Sequence, residues 1–330
     1  MHPRIRWGII ATGNIAGQFA RDLALLPDHE VVAVGSRNLQ RAKAFAEEHG
    51  VRKAYGSYAE LVADLEVDVV YVATPHSDHL ATSRLALNAG KAVLCEKSLT
   101  VNAREARELV NLAREKQLFF MEAMWMRCNP LHLRLAELVK DGVIGEPKAL
   151  HASLGFVAEY DPRGRLFAPE LAGGALLDVG VYPVSLAYHV FGPPDVVQAT
   201  GTLAPTGVDA SVAIALGYQA GQVASLACSL VSTLPNEAWV SGTEGWIVLP
   251  RSFHDTHTLV VHREGREPEA VSVERKGIGY TYEAIEVARC LREGLVESPL
   301  VSWNDSLAVM DVLDAVRKQV GVRYPVDDAP

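Results

Sequence analysis

The sequence of 330 residues has no lysine- or arginine-rich block, and its formal net charge is −9. A nucleic-acid partner, which needs a basic stripe to meet phosphates, is therefore not expected. Cysteine is scarce: Cys95, Cys128, Cys228 and Cys290 lie far apart and form no C-x-x-C pair. That pattern offers no zinc site and suits reduced thiols in a cytoplasm. Long apolar runs are missing too. The opening MHPRIRWGII is too short for a signal peptide, and no run is expected to approach the roughly 20 residues of a membrane helix. What remains is a cytoplasmic globular chain with no membrane partner, long enough for two domains.

The first 120 or so residues alternate strand-like and helix-like segments. IRWGII, EVVAVGS, DVVYVAT, KAVLCEK and LFFMEA are short apolar strands. Between them lie helical stretches: Asn14 to about Leu26, QRAKAFAEEHG, HLATSRLALNAG and AREARELVNLAREKQ. Strands apolar on both faces, separated by amphipathic helices, predict βαβ units and a doubly wound parallel sheet, an α/β Rossmann domain over residues 1–125. From residue 126 the character is α+β. Strand candidates DVVQATGTL, VDASVAIALGY, QVASLACSLV, EAWVSGT, GWIVLP and HTLVVHR are separated by turns such as QAGQ and GTEG. They predict a largely antiparallel sheet in a second domain over residues 126–330. A last helix, about 303–320, is expected to pack back toward the first domain.

ATGNIA, Ala11 to Ala16, follows the first strand and overlays the dinucleotide fingerprint G-x-G-x-x-G/A. Ala11 stands at its first glycine and Gly13 at its second, where backbone must approach a pyrophosphate at a helix N-terminus. The plain alternative is an ordinary strand-to-helix turn. The second strand ends in Ser36 and Arg37, 23 and 24 residues beyond Gly13. NAD enzymes carry an acid here to hold the ribose hydroxyls, and a carboxylate would repel the phosphate of NADP. Arg37 pairs with that phosphate, and Arg41 follows one helical turn later, so NADP is favoured, with NAD as the alternative.

VLCEKSLT delivers Glu96 and Lys97 side by side at the end of a buried strand. Ligands of open parallel sheets bind beyond the carboxyl ends of the strands, which places Lys97 at the cofactor cleft. In GGALLDVGVYPVSLAYHV, Asp178 and Tyr182 are polar groups in an apolar stretch, spaced i, i+4 so that on a helix they share a face. Each group alone also fits a bland reading, a solvated lysine, a capping Asp and a core Tyr.

Together ATGNIA, SR, ATPHSDH, CEKSLT, MEAMWMRCNP, GGALLDVGVYP and the C-terminal SPLVSWNDSLAVMDVLDAVRKQVGVRYP resemble the glucose–fructose oxidoreductase/inositol dehydrogenase/MocA (Gfo/Idh/MocA) family, nearest its dihydrodiol and D-xylose dehydrogenase branch. The resemblance implies an oxidoreductase that is a homodimer or higher homo-oligomer, its second domain a largely antiparallel open sheet for substrate binding and oligomerisation. Lys97, Asp178 and Tyr182 are then catalytic, with Tyr182 as proton acceptor and donor. It puts Ala11, Thr12, Gly13, Asn14, Ile15, Ser36, Arg37, Arg41, Thr74, Pro75, His76, His79, Glu96 and Lys97 at the cofactor, and Trp125, Arg127, Asp178 and Tyr182 at the substrate. Four positions depart from the pattern: Ser98 replaces the Pro of E-K-P, Ala11 replaces Gly, and Cys128 and Asn129 replace bulkier residues. The last pair argues against a large aromatic substrate.

Oxidising a carbinol needs a base for the hydroxyl proton. A phenol titrating near pH ~10 must drop by roughly 2–3 units, about 3–4 kcal/mol, to act near neutrality. One ammonium about 4 Å away at an effective dielectric of about 20 supplies roughly 4 kcal/mol, so a lysine is of the right size. Asp178 cannot lower that pKa and is expected to orient Lys97 or accept a substrate hydroxyl. The reading is therefore a dehydrogenase transferring hydride between nicotinamide and a sugar or polyol-like alcohol. Its alternatives are a trans-dihydrodiol dehydrogenase and, in another class, a non-catalytic NAD(P)-binding regulator. A metal is not expected.

Overall fold

The computed structural model describes residues 4–328. The chain forms two compact units. The first takes residues 1–100, 104–128 and 275–306, and the second takes 101–103, 129–274 and 307–330. This division differs from two consecutive blocks meeting at residue 125.

The first unit is built on β1 (Ile5–Ile10), β2 (His29–Gly35), β3 (Lys53–Tyr55), β4 (Val69–Val72), β5 (Ala92–Glu96) and β6 (Phe120–Ala123). They form one sheet of order β3-β2-β1-β4-β5-β6 with every pairing parallel. Helices α1 (Asn14–Leu23), α2 (Leu39–His49), α3 (Tyr58–Val62), α4 (His76–Asn88), α5 (Ala103–Lys116) and α6 (Trp125–Cys128) lie between and after the strands. β4 and β5 are buried along their whole lengths, which is why their sequences are continuous apolar runs. α1 buries Ala16, Phe19, Ala20 and Leu23, and the Phe19 ring stacks on Tyr71 of β4 at 3.8 Å. The strand order reverses direction between β1 and β4, the place where such sheets open a crevice at their carboxyl ends. β3 and α3 are too short to show in the sequence pattern; α3 is set by a capping box between Ser57 and Glu60.

In the second unit come α7 (Pro130–Lys140), β7 (Pro147–Gly155), α8 (Val181–Phe191) and β8 (Val196–Leu203). They are followed by β9 (Asp209–Gly217), β10 (Val223–Ser229), β11 (Ala238–Gly242), β12 (Gly245–Leu249), β13 (Thr258–Arg263) and β14 (Glu269–Ser272). The sheet order is β14-β13-β12-β11-β7-β10-β9-β8. All pairings are antiparallel except β7 with β10, which is parallel. Val212, Ile214, Leu216, Ala224, Leu226 and Cys228 face inward, and the residues alternating with them face out. The helical layer presses close: a Cβ on Gly180 would stand 2.8 Å from the Cys228 sulfur.

α9 (Tyr280–Glu293) returns to the first unit. The Asp22 carboxylate, near the end of α1, accepts the backbone N–H groups of Ile278, Gly279 and Tyr280 at 2.9–3.0 Å and so holds the start of α9. This clasp explains why the first unit reclaims residues far beyond 125. α10 (Trp303–Val320) begins in the first unit and continues in the second.

One helical stretch, Pro169–Phe191, is long and apolar enough to cross a membrane by length and composition, against the expectation that no run approaches that length. Of its apolar window, 89% is buried inside the protein, as in a core helix. All four cysteines are buried and unbridged.

Candidate active site

The turn after β1 is shaped for an anion. Ala11 takes a left-handed backbone conformation, φ 77°, where the fingerprint has glycine. Gly13 is the N-cap of α1, makes no side-chain cap, and is followed by a first turn without acidic residues. A Cβ built on Gly13 meets no atom within 4 Å, so protein packing does not require the glycine there. The N-terminal N–H groups and the clear space above them fit a pyrophosphate. Thr12, Gly13, Asn14 and Ile15 are all at least partly exposed along this turn.

The second corner gathers Ser36, Arg37 and Arg41. Ser36 is buried, and its hydroxyl accepts the Asn38 N–H at 3.2 Å. Asn38 in turn caps α2 through the N–H groups of Gln40 and Arg41. Arg37 and Arg41 are exposed. Arg37 lies 3.5 Å from Asp78 of α4, an acid that sequence reading did not bring to this corner. With its side chain 74% exposed, Arg37 can exchange that weak contact for a phosphate.

At the end of β5, Glu96 accepts the Tyr71 hydroxyl with one oxygen and the Lys97 N–H with the other at 3.2 Å. The Lys97–Ser98 peptide is cis. His79 is buried, with Nδ1 3.0 Å from the Ser98 carbonyl and Nε2 2.9 Å from that of Thr74. Burial pushes its imidazole below the ordinary value, so it is neutral and donates from one nitrogen at a time. His79 thus lies between the Thr74 carbonyl and the turn after Lys97 and donates to one of the two at a time. Pro75 is the N-cap of α4, and the His76 ring meets His79 edge-on at 5.5 Å. Lys97, His76, His79, Thr74 and Glu96 are therefore brought to one end of the sheet.

Trp125 and Arg127 are buried in the same unit. The Trp125 ring lies 5.1 Å from Tyr280, and Arg127 pairs with Asp305 at 3.1 Å. Two further carboxyls here escaped sequence reading. Glu122 of β6 accepts the Leu99 N–H at 3.0 Å. Glu283 of α9 is fully buried with both oxygens unpartnered. Burial, with Glu96 and Asp22 nearby, pushes its carboxyl far up, which favours the protonated acid.

Asp178 and Tyr182 belong to the second unit. They do not share a plain α-helix: Leu176–Gly180 is a π-helical turn leading into α8. Such turns occur frequently at functional sites. Asp178 is buried and pairs with Arg165 Nη1 at 2.7 Å. The buried Tyr182 ring lies 4.9 Å from that of His254, in the β12–β13 loop. His254 was missed because its only sequence signal is a histidine in a loop. Among the described residues no three His, Cys, Asp or Glu side chains come together as a metal site.

Comparison with known proteins gives a consistent result. The family described as "Oxidoreductase family, NAD-binding Rossmann fold" matches residues 5–124, and its C-terminal domain matches residues 132–248. Trans-1,2-dihydrobenzene-1,2-diol dehydrogenase of Mus musculus is 42% identical over 332 residues, covering 98% of this chain and 99% of its own. The Homo sapiens enzyme of that name gives the same identity and coverage. KijD10, a 3-ketoreductase from Actinomadura kijaniata solved with NADP and TDP-benzene, superposes with a TM-score of 0.85 at 29% identity, over 96% of this chain and 98% of its own. The aldose–aldose oxidoreductase of Caulobacter crescentus reaches 0.88 at 21% identity, over 96% and 98%, a likeness of fold alone. The chain belongs to the Gfo/Idh/MocA oxidoreductase family, and its first unit is that family's NAD-binding Rossmann fold.

Proposed function

We propose that this chain is an NADP-preferring dehydrogenase acting on the secondary alcohol of a sugar or other polyol. The observation that carries the reading is the cradle at Gly13, open above the N-terminus of α1 and following β1 of the sheet whose β5 ends at Glu96, next to Lys97. Thr12 to Ile15 would hold the pyrophosphate, and Ser36, Arg37 and Arg41 the ribose phosphate. Bound there, the cofactor supplies hydride exchange. Tyr182 takes or returns the hydroxyl proton, Lys97 provides the cation that favours its phenolate, and Asp178 orients these groups or accepts a substrate hydroxyl. Arg165 offsets the negative charge of Asp178. Support for a second substrate class, trans-dihydrodiols, comes from the full-length relatives of that name.

A symmetric homodimer belongs to the same proposal. The outer face of the second unit's sheet carries Val223, Trp246 (44% exposed) and a His151–Trp239 stack. An apolar face of that kind suits a second copy. The four unbridged thiols favour a cytoplasmic setting.

The cofactor site is tested by titrating NADPH into wild type and Gly13→Val. Because the new Cβ meets no protein atom within 4 Å, stability should fall by no more than about 1 kcal/mol, the loss of a favoured N-cap residue, while affinity falls by at least about tenfold, as expected when a close backbone approach is blocked. Equal affinities would place the cofactor elsewhere.

A further inference from the structure

Glu122 lies opposite Cys95 in the β5–β6 register, buried, one strand away from the turn that carries Lys97. One of its oxygens accepts the Leu99 N–H at 3.0 Å, and the other accepts the Ser306 hydroxyl, from the first turn of α10, at 2.6 Å. The turn is also held by Glu96 on the Lys97 N–H, and His79 Nδ1 lies beside the Ser98 carbonyl. Glu122 supplies the clasp on the far side of Lys97. We propose that Glu122 is a positioning residue for Lys97, fixing the turn through Leu99 and being fixed in its place by Ser306. This inference rests on the assignment of Lys97 to the reaction.

The protonation of Glu122 matters to that role. Burial pushes its carboxyl up to about 7, against the hydrogen bonds from Ser306 and Leu99. The groups acting on it are Glu96, which raises it, and Lys97, which lowers it, while the Cys95 thiol within β5 feels its charge. The Arg127–Asp305 pair links α6 to α10 next to Ser306. As a carboxylate, Glu122 accepts from both partners. As an acid, it turns one oxygen into a donor and Ser306 must accept instead. Ionisation therefore strengthens the hold on Leu99 and sharpens the position of Lys97 as pH rises through neutrality.

The experiment compares wild-type holoenzyme with Glu122→Ala, Glu122→Gln and Ser306→Ala. Its readouts are kcat against pH, the dissociation constant for NADPH, and hydrogen exchange at the Leu99 amide. Glu122→Ala should lower kcat about tenfold or more and speed Leu99 exchange by a similar factor, the effect of one lost hydrogen bond to a charged group, with NADPH affinity little changed. Glu122→Gln keeps an acceptor for Leu99, so it should restore most of kcat while losing the rise in Leu99 protection that wild type shows as pH passes 7. If Glu122→Ala does not fold, Ser306→Ala still frees Glu122 from its support and should show a smaller loss of kcat in the same direction. Unchanged kcat and unchanged Leu99 exchange in Glu122→Ala or Ser306→Ala would overturn the inference, as would a Leu99 protection factor that still rises between about pH 6 and pH 8 in Glu122→Gln. Should Lys97→Met prove fully active, the assignment of Lys97 falls by itself, and Leu99 exchange still decides whether Glu122 holds the turn.

Discussion

At the scale of single residues, the account depends on charges placed at strand ends. Burying either Glu96 or Lys97 alone is costly, and the structure offsets it by giving the Glu96 carboxylate two donors. The same economy marks Arg37, held loosely by Asp78 and mostly in solvent. Arg37→Ala should raise the Michaelis constant for NADP⁺ by about tenfold to a hundredfold, the roughly 1.5–3 kcal/mol of a charge-assisted phosphate contact, and change that for NAD⁺ little. Equal losses for both cofactors would remove the assignment. Lys97→Met should keep the fold and lower turnover, with residual activity climbing at alkaline pH. The displacement expected from one lost ammonium is on the order of 2–3 units. An unshifted profile would leave Lys97 with substrate positioning only.

At the scale of elements, the strands and helices of the first unit, the short β3 and α3 excepted, were legible because buried parallel strands are written as unbroken apolar runs. The strand end at Lys97 and the turn at Gly13 were legible for the same reason, since each is fixed by its neighbours in sequence. β7 was not. Its first residues are only half-buried, and its parallel partner β10 lies 74 residues away, a pairing no local pattern encodes (Ala149 with Val223). The partners of the site residues were equally hidden: Glu122, His254 and Asp22 act through tertiary contacts, and their own segments look like ordinary strand, loop and helix. The π-helical turn at Leu176–Gly180 shows how such contacts set an element. Asp209 is fully buried and accepts the Leu176 N–H at 2.6 Å, fixing the start of that turn. Burial pushes its carboxyl up to about 6 from an ordinary 3.8. A raised carboxyl favours the folded state fully below the unfolded value and loses that contribution as pH rises through the folded one. Asp209→Asn keeps the acceptor and removes the ionisation. The stability of the variant relative to wild type should therefore grow by about 3 kcal/mol between pH 3.5 and pH 8, read from urea unfolding at both values. A gap that does not change with pH would mean that Asp209 is not titrating in the fold.

At the scale of the whole molecule, membership of the oxidoreductase family follows from matches to both of its domains. The outward face of the second unit's sheet bears on assembly. Sedimentation at micromolar concentration should give twice the chain mass of 35.7 kDa, and a monomer would contradict the homodimer. Replacing Trp246, exposed on that face, with Glu should shift the equilibrium toward monomer without altering the inward-facing core. The claim on which everything else rests is that the chain oxidises an alcohol with NADP⁺ and that Tyr182 handles the proton. The direct measurement is the appearance of NADPH absorbance when aldoses, cyclitols and trans-dihydrodiols are offered to wild type and to Tyr182→Phe. The account predicts steady reduction of NADP⁺ by at least one of these alcohols in wild type and almost none at any pH in Tyr182→Phe. A wild type inert toward every class while still binding NADPH would mark a non-catalytic regulator, and a fully active Tyr182→Phe would put the base elsewhere.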